Sequence, residues 1–564
     1  MHLNRDHSRK LSLLLTTGLI LLASVWIGRG VFRLGYLQLD MDEALHARRG
    51  LDITSAVLRG DWQTAMHELT KPDWYPPGHG ITLGIWLWGL GPNVETARLY
   101  STLWFALLGL LLWFSLKELL PDANPFLYMV PALFLVADAL YTVYAGLAML
   151  ELPAVTLAFA GIFFLLRAWR RASLTDHMLA FLFGGLSIFT KYNFGLITLA
   201  AYAVCWPLMW YSESHQSLPT RKRWMILGAW ITGLMVLVIW FWGLDQWRWF
   251  VEYSTVQPAQ YSLWSLANLL YYPRMIWNQS INWLAALLAV GGLILMLVQR
   301  RYLVRLTPYL VYFAASLLIL IINLQNGLRF GMMLLPALWI MAGIGAHYLF
   351  GEQTHHWLRR VSIAALLGLL ILASFSNLRS FMSQLFATHE NANNGVELAY
   401  DYVANVLDIG KEPELDIVMQ GRTDQWSGPA LGFNLQVKCL SSRSDCNIKV
   451  LDTRELRRGW PEREFTEDVQ QQRVQQALMQ ADYLVQFTEA ATPIEDWVLI
   501  SEREFVFERQ GKKPATRIVA IYVHELGGSY LPNVGSQAGS RQAKKLTMVM
   551  CPYKIQPSCY VVTT

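Results

Sequence analysis

The chain has 564 residues, of which 54% are hydrophobic and only 15% are charged. About a quarter of the residues of a typical soluble domain are charged, so the composition argues against a fully soluble protein. The formal net charge of +5 does not indicate nucleic-acid binding, because the basic residues lie in short clusters between apolar segments. Cytoplasmic loops of membrane proteins carry such clusters.

Apolar segments recur along the first two thirds of the chain. A bilayer core about 30 Å thick needs roughly 20 apolar residues per helix, and about eleven spans are predicted on that basis. They cover 11–31, 96–117, 125–141, 150–167, 177–190, 194–211, 224–243, 281–299, 307–323, 330–350 and 361–377. The first span follows Arg5, Arg9 and Lys10 and is too long for the apolar core of a signal peptide, so it is predicted to be an anchor.

Every second loop between these spans is rich in lysine and arginine. These loops hold Lys117, Arg167, Arg170, Arg171, Arg221, Lys222, Arg223, Arg300, Arg301, Arg305, Arg359 and Arg360. The positive-inside rule then predicts a cytoplasmic N-terminus. It places the loops 33–95 and 244–280, and everything beyond about 380, on the outer face. We expect an integral protein of a bacterial inner membrane.

Beyond residue 380 the pattern becomes that of a soluble α/β domain. "ELDIVMQG" and "ADYLVQF" predict short buried strands, and "TEDVQQQRVQQALMQ" predicts an amphipathic helix. We expect a transmembrane domain over 1–380, an extracytoplasmic α/β domain over 381–526, and an unassigned linker and tail over 527–564.

Cysteine usage separates the same two regions. Cys205 lies in an apolar run, whereas Cys439, Cys446, Cys551 and Cys559 follow in the C-terminal third. Those four suit either disulfides of undetermined pairing in an oxidising compartment or free thiols.

Acidic residues follow the first span directly, in "LQLDMDEALHARRG". Asp42 and Glu43 there suit the start of a solvated helix, because carboxylates favour helix N-termini. Alternatively they overhang a membrane cavity, where a carboxylate takes a proton from an attacking hydroxyl. Glu151 in "LAMLELPA" favours the second interpretation. It lies at the outer end of the fourth span, and an ionisable residue at helix depth usually lines a cavity or has a partner.

Basic and aromatic side chains are predicted on the same outer side. "KPDWYPPGHG" holds Lys71, Tyr75 and His79 near two consecutive prolines, which keep the backbone extended or form a rigid turn into a helix. Lys191, Arg274 and Arg329 lie at the outer ends of other spans. Each base alone suits a snorkelling anchor. Together with Lys71 they would form an anion site, and a lipid phosphate is the natural anion at a bilayer surface.

Several motifs are absent from the sequence: it has no P-loop, Rossmann glycine pattern or HExxH. No cofactor is predicted, and a divalent metal ion is left open without being indicated. A nucleotide-sugar donor would also lie on the cytoplasmic side. A sugar already carried across on a polyprenyl phosphate avoids both difficulties.

The ordered motifs resemble the GT-C superfamily of membrane glycosyltransferases, in the branch of the protein O-mannosyltransferases and lipid A aminoarabinose transferases. The resemblance covers about residues 10–380. Its motifs are "DE" after the first span, "PP", "ETARLYS", "LAMLELP", "LSIFTKYNFG" and "LRFGMMLLPAL". Tyr75 stands where many members have histidine, and His79 where tyrosine is common.

The resemblance implies a polytopic helix bundle that transfers a sugar from a polyprenyl-phosphate donor with inversion, on the outer face, in glycosylation of the cell envelope. Asp42 would be the base or acceptor-orienting acid, with Glu43 and Glu151 assisting. The donor phosphate would be held by Lys71, Lys191, Arg274 and Arg329. The partners are then membrane lipids, the lipid-linked sugar and an unknown lipid, glycan or protein acceptor. The alternatives are a lipid or solute transporter or flippase, and a non-catalytic lipid-binding homologue.

Overall fold

The computed structural model is mostly helical, with a five-stranded sheet near the C-terminus. The residues that it describes are 5–33, 39, 41–70, 75–244, 246–248, 251, 261–299, 303–322, 327–351, 355–390, 394–409, 414–420, 427–442, 447–452, 467–488, 497–507 and 515–524.

The helices are numbered in chain order. They are α1 (Arg5–Arg33), α2 (Met41–Leu58), α3 (Trp62–Thr70), α4 (Pro77–Leu90), α5 (Val94–Leu119), α6 (Val130–Ala137), α7 (Ala139–Ala145), α8 (Glu151–Arg171), α9 (Leu174–Thr190), α10 (Tyr192–Trp210), α11 (Glu213–Gln216), α12 (Thr220–Val238), α13 (Leu266–Leu269), α14 (Tyr271–Asn278), α15 (Asn282–Gln299), α16 (Leu303–Ile322), α17 (Leu335–Ala346), α18 (His356–Glu390), α19 (Asn394–Val406), α20 (Gly428–Ser442) and α21 (Glu467–Gln480). Short 3₁₀ turns cover Pro125–Met129 and Leu328–Met333, and single π turns cover Ile239–Gly243 and His347–Gly351.

Each of the eleven predicted spans coincides with a helix or a bent pair of helices. Within the described residues, seven helices are long and apolar enough to cross a membrane, and nine spans result if each bent pair counts as one. The segments Leu174–Thr190 and Leu335–Gly351 are apolar but shorter. The helical membrane bundle is therefore confirmed, while the count of eleven spans stays a prediction.

Helix α8 lies at the centre of the bundle, because its residues are buried on nearly every side. A helix that is apolar all round belongs in such a core. Its 21 residues make it about 30 Å long at 1.5 Å per residue. Glu151 begins the helix, and Arg171 at its end pairs with Glu118 of α5 at 2.6 Å. The acidic and basic ends of α8 therefore lie about one bilayer core apart.

The third predicted span is broken between α6 and α7, which meet at 70°. Asp138 at the break accepts a hydrogen bond from the Tyr141 backbone N–H at 2.8 Å and another from Asn282 Nδ2 at 2.6 Å. Trp339 Nε1 donates to Asn282 Oδ1 at 2.9 Å. These bonds satisfy the backbone and side-chain groups that a break would leave unpaired in a bilayer.

The C-terminal sheet contains β1 (Glu414–Gln420), β2 (Asn447–Asp452), β3 (Tyr483–Thr488), β4 (Trp497–Phe507) and β5 (Ala515–His524). Its order is β2-β1-β3-β5-β4, in which β1 is parallel to β2 and β3, and β5 is antiparallel to β3 and β4. The predicted strands are β1 and β3, and the predicted helix is α21. We call the sheet with α19, α20 and α21 the C-terminal α/β unit; the predicted domain limits stay a proposal.

Candidate functional site

Asp42 and Glu43 lie in the first turn of α2 and have different surroundings. The buried Glu43 carboxylate accepts hydrogen bonds from Arg98 Nε and Nη2 at 3.1 and 3.0 Å, and from the Ala148 backbone N–H at 2.7 Å. Bidentate Arg–carboxylate pairs are strong and geometrically specific, so Glu43 holds α2 against α5 and the segment before α8. The Asp42 carboxylate is a third exposed and accepts a hydrogen bond from Arg329 Nη1 at 3.3 Å.

Glu151 is the first residue of α8, and its side chain is only 1% exposed. Lys191 Nζ donates to its Oε1 at 2.6 Å, and Arg329 Nε lies 3.8 Å from the same oxygen. A buried carboxylate without such partners would be strongly destabilising. Arg329 therefore stands between Asp42 and Glu151, so that one guanidinium joins the two carboxylates.

Two aromatic rings lie close to the cationic side chains of Lys191 and Arg329. Lys191 Nζ is 5.1 Å from the ring centre of Phe194 and 5.2 Å from that of Phe330, and the Arg329 guanidinium carbon is 5.4 Å from the Phe330 ring. These distances suit cation–π attraction. The four charged residues named here, which we call the site cluster, are Asp42, Glu151, Lys191 and Arg329.

Two buried histidines and a tyrosine lie beside the site cluster. The His46 ring centre is 4.7 Å from that of Tyr75 and 5.0 Å from that of His79. Burial lowers the pKa of both imidazoles, to about 4 for His79, so both are neutral at pH 7. His46 was missed as a site residue in the sequence analysis. The sequence feature that indicates His46 is its position four residues after Asp42, because residues four apart lie on the same face of a helix.

The two prolines determine where α4 begins. Pro76 is extended (φ −61°, ψ 156°), and Pro77 opens the helix, where its lack of an N–H costs nothing. A Cβ added to Gly78 would lie 2.5 Å from the backbone oxygen of Phe189, so α4 and the end of α9 touch through their backbones. This close approach seats the start of α4 next to Lys191, which follows α9.

The predicted site residues do not all meet in one place. Arg274 is exposed on α14, and no contact among the described residues joins it to the site cluster. Tyr75 contacts His46 through its ring, and its backbone oxygen accepts a hydrogen bond from Arg49 Nη1 at 2.6 Å. Lys71 lies outside the described residues. The functional roles of all nine residues stay predictions.

A metal centre was left open by the sequence. Over the part of the chain that the structure describes, no three His, Cys, Asp or Glu side chains form a group suited to holding a metal ion. The expectation that the protein works without a cofactor stays a prediction.

The chain is similar in structure to known membrane proteins of the GT-C superfamily. Apo ArnT from Cupriavidus metallidurans is 14% identical, with 90% of this chain and 97% of that chain covered and a TM-score of 0.54. ArnT from the same organism bound to undecaprenyl phosphate is 13% identical, with the same coverage and TM-score. The Archaeoglobus fulgidus oligosaccharyltransferase is 10% identical, with 83% and 69% covered and a TM-score of 0.47.

No protein-family model and no curated protein sequence matches this chain. At these identities, the likeness to ArnT over nearly the whole of both chains shows a common fold.

Proposed function

We propose, starting from the GT-C fold that this chain has, that it is a membrane glycosyltransferase with a polyprenyl-phosphate sugar as its donor. The sugar would pass, with inversion at its anomeric carbon, to an acceptor hydroxyl or amine of a lipid, glycan or protein. The observation that carries the proposal is the placement of Arg329 between Asp42 and Glu151, with Lys191 bound to the same Glu151 oxygen that Arg329 approaches. It puts acids and bases for such a transfer at one end of the bundle.

The cationic side chains of Lys191 and Arg329 are suited to binding the phosphate of the sugar donor. An ammonium carries three N–H donors and a guanidinium five, so Lys191 and Arg329 can each hold a carboxylate and a phosphate oxygen together. Cationic side chains that donate hydrogen bonds to the negative charge forming on the leaving phosphate lower the activation barrier most when their positions are fixed before the reaction. Glu151 fixes both of them, because its buried carboxylate pairs with each. We assign Glu151 to positioning for this reason.

The Asp42 carboxylate is suited to binding the acceptor and taking its proton. It is a third exposed, whereas Glu151 and Glu43 are each 1% exposed and paired, so a substrate reaches Asp42 most readily. In the proposed step the acceptor oxygen or nitrogen bonds to the anomeric carbon as the bond from that carbon to the phosphate oxygen breaks. The bonding pair leaves with the polyprenyl phosphate, and Asp42 takes the acceptor proton.

A lipid carrier is supported by ArnT, which has been solved with undecaprenyl phosphate. Such a donor is already activated by its phosphate, so the step needs no nucleotide cofactor. The outer face is supported by the alternating basic loops. Cys439, which is disulfide-bonded in the C-terminal α/β unit, suits an oxidising compartment as well.

If the protein were a transporter, broken helices would be expected to form its substrate site. Here Asn282 donates a hydrogen bond to the Asp138 carboxylate at the break and accepts one from Trp339, so the Asp138 carboxylate is already occupied by a partner of this chain. The charged residues of the site cluster lie instead at the N-terminal end of α8. These two observations favour the enzyme.

The proposal is tested with the purified protein in lipid nanodiscs and a panel of radiolabelled undecaprenyl-phosphate sugars, hexoses and pentoses included. A membrane extract of the source cell supplies the acceptors. We expect one donor to lose its label to an acceptor fraction and an Asp42→Asn variant to transfer little. Retention of label on every donor would contradict the proposal. Movement of intact labelled donor between leaflets would support the flippase instead.

A further inference from the structure

Helix α2 presents opposite faces to two parts of the molecule. Asp42 reaches the site cluster from one face. At 3.6 residues per turn, Ala44, Ala47 and Leu51 fall on the opposite face. All three are buried in a hydrophobic core that they share with residues of α19, α20 and the sheet. The helix that carries Asp42 is therefore packed between the membrane bundle and the C-terminal α/β unit.

A single arginine hydrogen-bonds this packed face to the sheet. Arg48 Nη1 donates to the backbone oxygen of Val450 at 3.0 Å, and Nη2 donates to that of Ile448 at 3.3 Å. Both acceptors belong to β2, an edge strand of the sheet. Residues two apart on a strand point their carbonyl groups the same way, so a planar guanidinium fork can bind both at once. Asp52, one turn along α2, lies 3.7 Å from Arg48 Nε.

The space for this guanidinium depends on a glycine. A Cβ added to Gly432 of α20 would lie 2.6 Å from Arg48 Nη1 and 2.8 Å from Cζ. Both distances are too short for any side chain at that position while Arg48 keeps its place. The contact therefore involves three elements, α2, β2 and α20, and the Arg48 guanidinium can keep this place only while residue 432 has no side chain.

We propose that the C-terminal α/β unit is a positioning element of the site, and that Arg48 is the residue through which it holds α2 and Asp42 in place. This inference rests on the proposed function. Hydrogen bonds from a charged group to backbone oxygens are among the stronger ones in proteins. Two of them, on a helix whose first turn carries the acceptor-binding carboxylate, limit how far that helix can tilt.

The proposal separates two parts of the site. Lys191 and Arg329 both pair with Glu151 of the membrane bundle, so the phosphate should bind without the two hydrogen bonds from Arg48 to β2, which we call the clamp. The position of the Asp42 carboxylate, by contrast, depends on the position of α2, which carries it. Loosening the clamp should therefore lower kcat and leave donor-phosphate binding nearly unchanged, whereas general unfolding would weaken both.

The first test compares Arg48→Ala, Arg48→Lys and Gly432→Ala with the wild type in the label-transfer assay, and measures binding of unlabelled undecaprenyl phosphate. An active-site displacement of about 1 Å can cost roughly 10²-fold in rate. We expect kcat to fall by about 10- to 100-fold in Arg48→Ala and Gly432→Ala, and less in Arg48→Lys, whose ammonium can still donate to one carbonyl. The Kd should change by no more than about twofold, as for distant sites.

Two further variants serve as controls: the double variant Arg48→Ala/Gly432→Ala and the single variant Gly89→Ala. Once Arg48→Ala has removed the guanidinium, the three atoms nearest to a Cβ at position 432 are gone, so Gly432→Ala should cause little further loss. Gly89→Ala on α4, where an added Cβ meets nothing within 4 Å, should keep the wild-type rate. Wild-type kcat in both Arg48→Ala and Gly432→Ala, or a loss of phosphate binding as large as the loss of rate, would overturn the proposal.

The second test does not depend on the proposed function. Hydrogen–deuterium exchange of the full-length protein should show faster exchange over residues 41–58 in Arg48→Ala and Gly432→Ala, with residues 151–171 unchanged. Unaltered exchange in α2 would overturn the clamp even if the enzyme is active. If the wild type transfers no label but α2 loosens as expected, the clamp stands and the proposed function fails.

Discussion

Asp42 and Glu43 are neighbours in the chain, but their side chains leave α2 about 100° apart and reach different partners. Glu43 meets Arg98 inside the protein, and Asp42 meets Arg329 at a partly open position. The sequence marks both as acids after a span, but it contains nothing that separates their roles. Glu151, Lys191 and Arg329 were predictable, because ionisable residues at the ends of apolar helices are few. His79 was predicted from the sequence, but its contact with His46 depends on how α2 crosses α4.

Asp42→Asn should keep the fold and lower the transfer rate. Asparagine has the same shape but no basicity, and general-base catalysis is worth about 10²–10⁴-fold. Undecaprenyl-phosphate binding should persist. The control is Asp61→Asn, since Asp61 Oδ1 caps α3 by accepting from the Thr64 N–H at 3.0 Å and asparagine caps equally well. Wild-type transfer by the Asp42 variant would remove this residue from the mechanism.

Arg329→Ala should weaken donor binding as well as rate, because the phosphate is charged in both the ground and the transition state. Hydrogen bonds to charged groups contribute about 1.5–3 kcal/mol, so the Kd for undecaprenyl phosphate should rise by roughly 10- to 150-fold. Arg379→Ala removes an exposed arginine of α18 and should leave the Kd unchanged. An equal effect of the two variants would point to a diffuse charge effect rather than a phosphate contact.

Protonation of His79 should make the folded protein less stable in acid. Burial lowers the pKa of His79 from 6.5 to about 4, so the unfolded chain binds more protons between these values. Stability is then highest above pH 6.5 and falls as the pH drops toward 4. Thermal unfolding in detergent at pH 5 and pH 7.5 should show the difference. His79→Gln should reduce it, whereas His67→Gln, on the exposed side of α3, should not.

At the scale of elements, hydropathy located the apolar helices but not how they bend or cross. The break at Asp138 and the 112° bend between Tyr271–Asn278 and the next helix are joined by tertiary hydrogen bonds, from Asn282 Nδ2 to the Asp138 carboxylate and from the Ala139 N–H to Ser280 Oγ. The crossing of α2 and α4 depends on Gly50 and Gly84: a Cβ at Gly84 would lie 2.2 Å from the Gly50 backbone oxygen. Such a contact between backbones has no periodicity that a sequence pattern can indicate.

Gly84→Ala should therefore push α2 and α4 apart. Overpacking of this kind costs about 1–3 kcal/mol, and displacement of α2 should also slow transfer. The measurement is the midpoint of thermal unfolding in detergent together with the transfer rate. Gly89→Ala on the same helix has open space and should be neutral or stabilising, as alanine favours helix. A Gly84 variant as stable and active as the Gly89 variant would contradict the close crossing.

At the scale of the whole molecule, a helical membrane bundle followed by a small α/β unit was predictable from composition and periodicity. The docking of that unit on α2 was not, because Arg48 binds backbone oxygens of an edge strand and these carry no sequence signal. Motif order along the chain led to the GT-C fold, which the likeness to ArnT now shows.

The orientation of the protein in the membrane is open to a direct measurement. With the N-terminus inside, a cysteine placed at Arg379 should react with a membrane-impermeant maleimide added to intact cells, whereas one placed at Lys222 should react only after lysis. The reverse labelling pattern would place the site cluster on the cytoplasmic side and make a flipped lipid donor unnecessary.

The proposed function requires that the site cluster bind the phosphate of a polyprenyl-phosphate sugar. The most direct measurement is an electron cryomicroscopy or crystal structure of the protein with undecaprenyl phosphate. We expect phosphate density within charge-assisted hydrogen-bond distance, about 2.7–2.9 Å, of Lys191 Nζ and the Arg329 guanidinium, with Asp42 facing the space that the sugar would fill. Phosphate density elsewhere in the molecule, with Lys191 and Arg329 still paired only to Glu151 and Asp42, would contradict it.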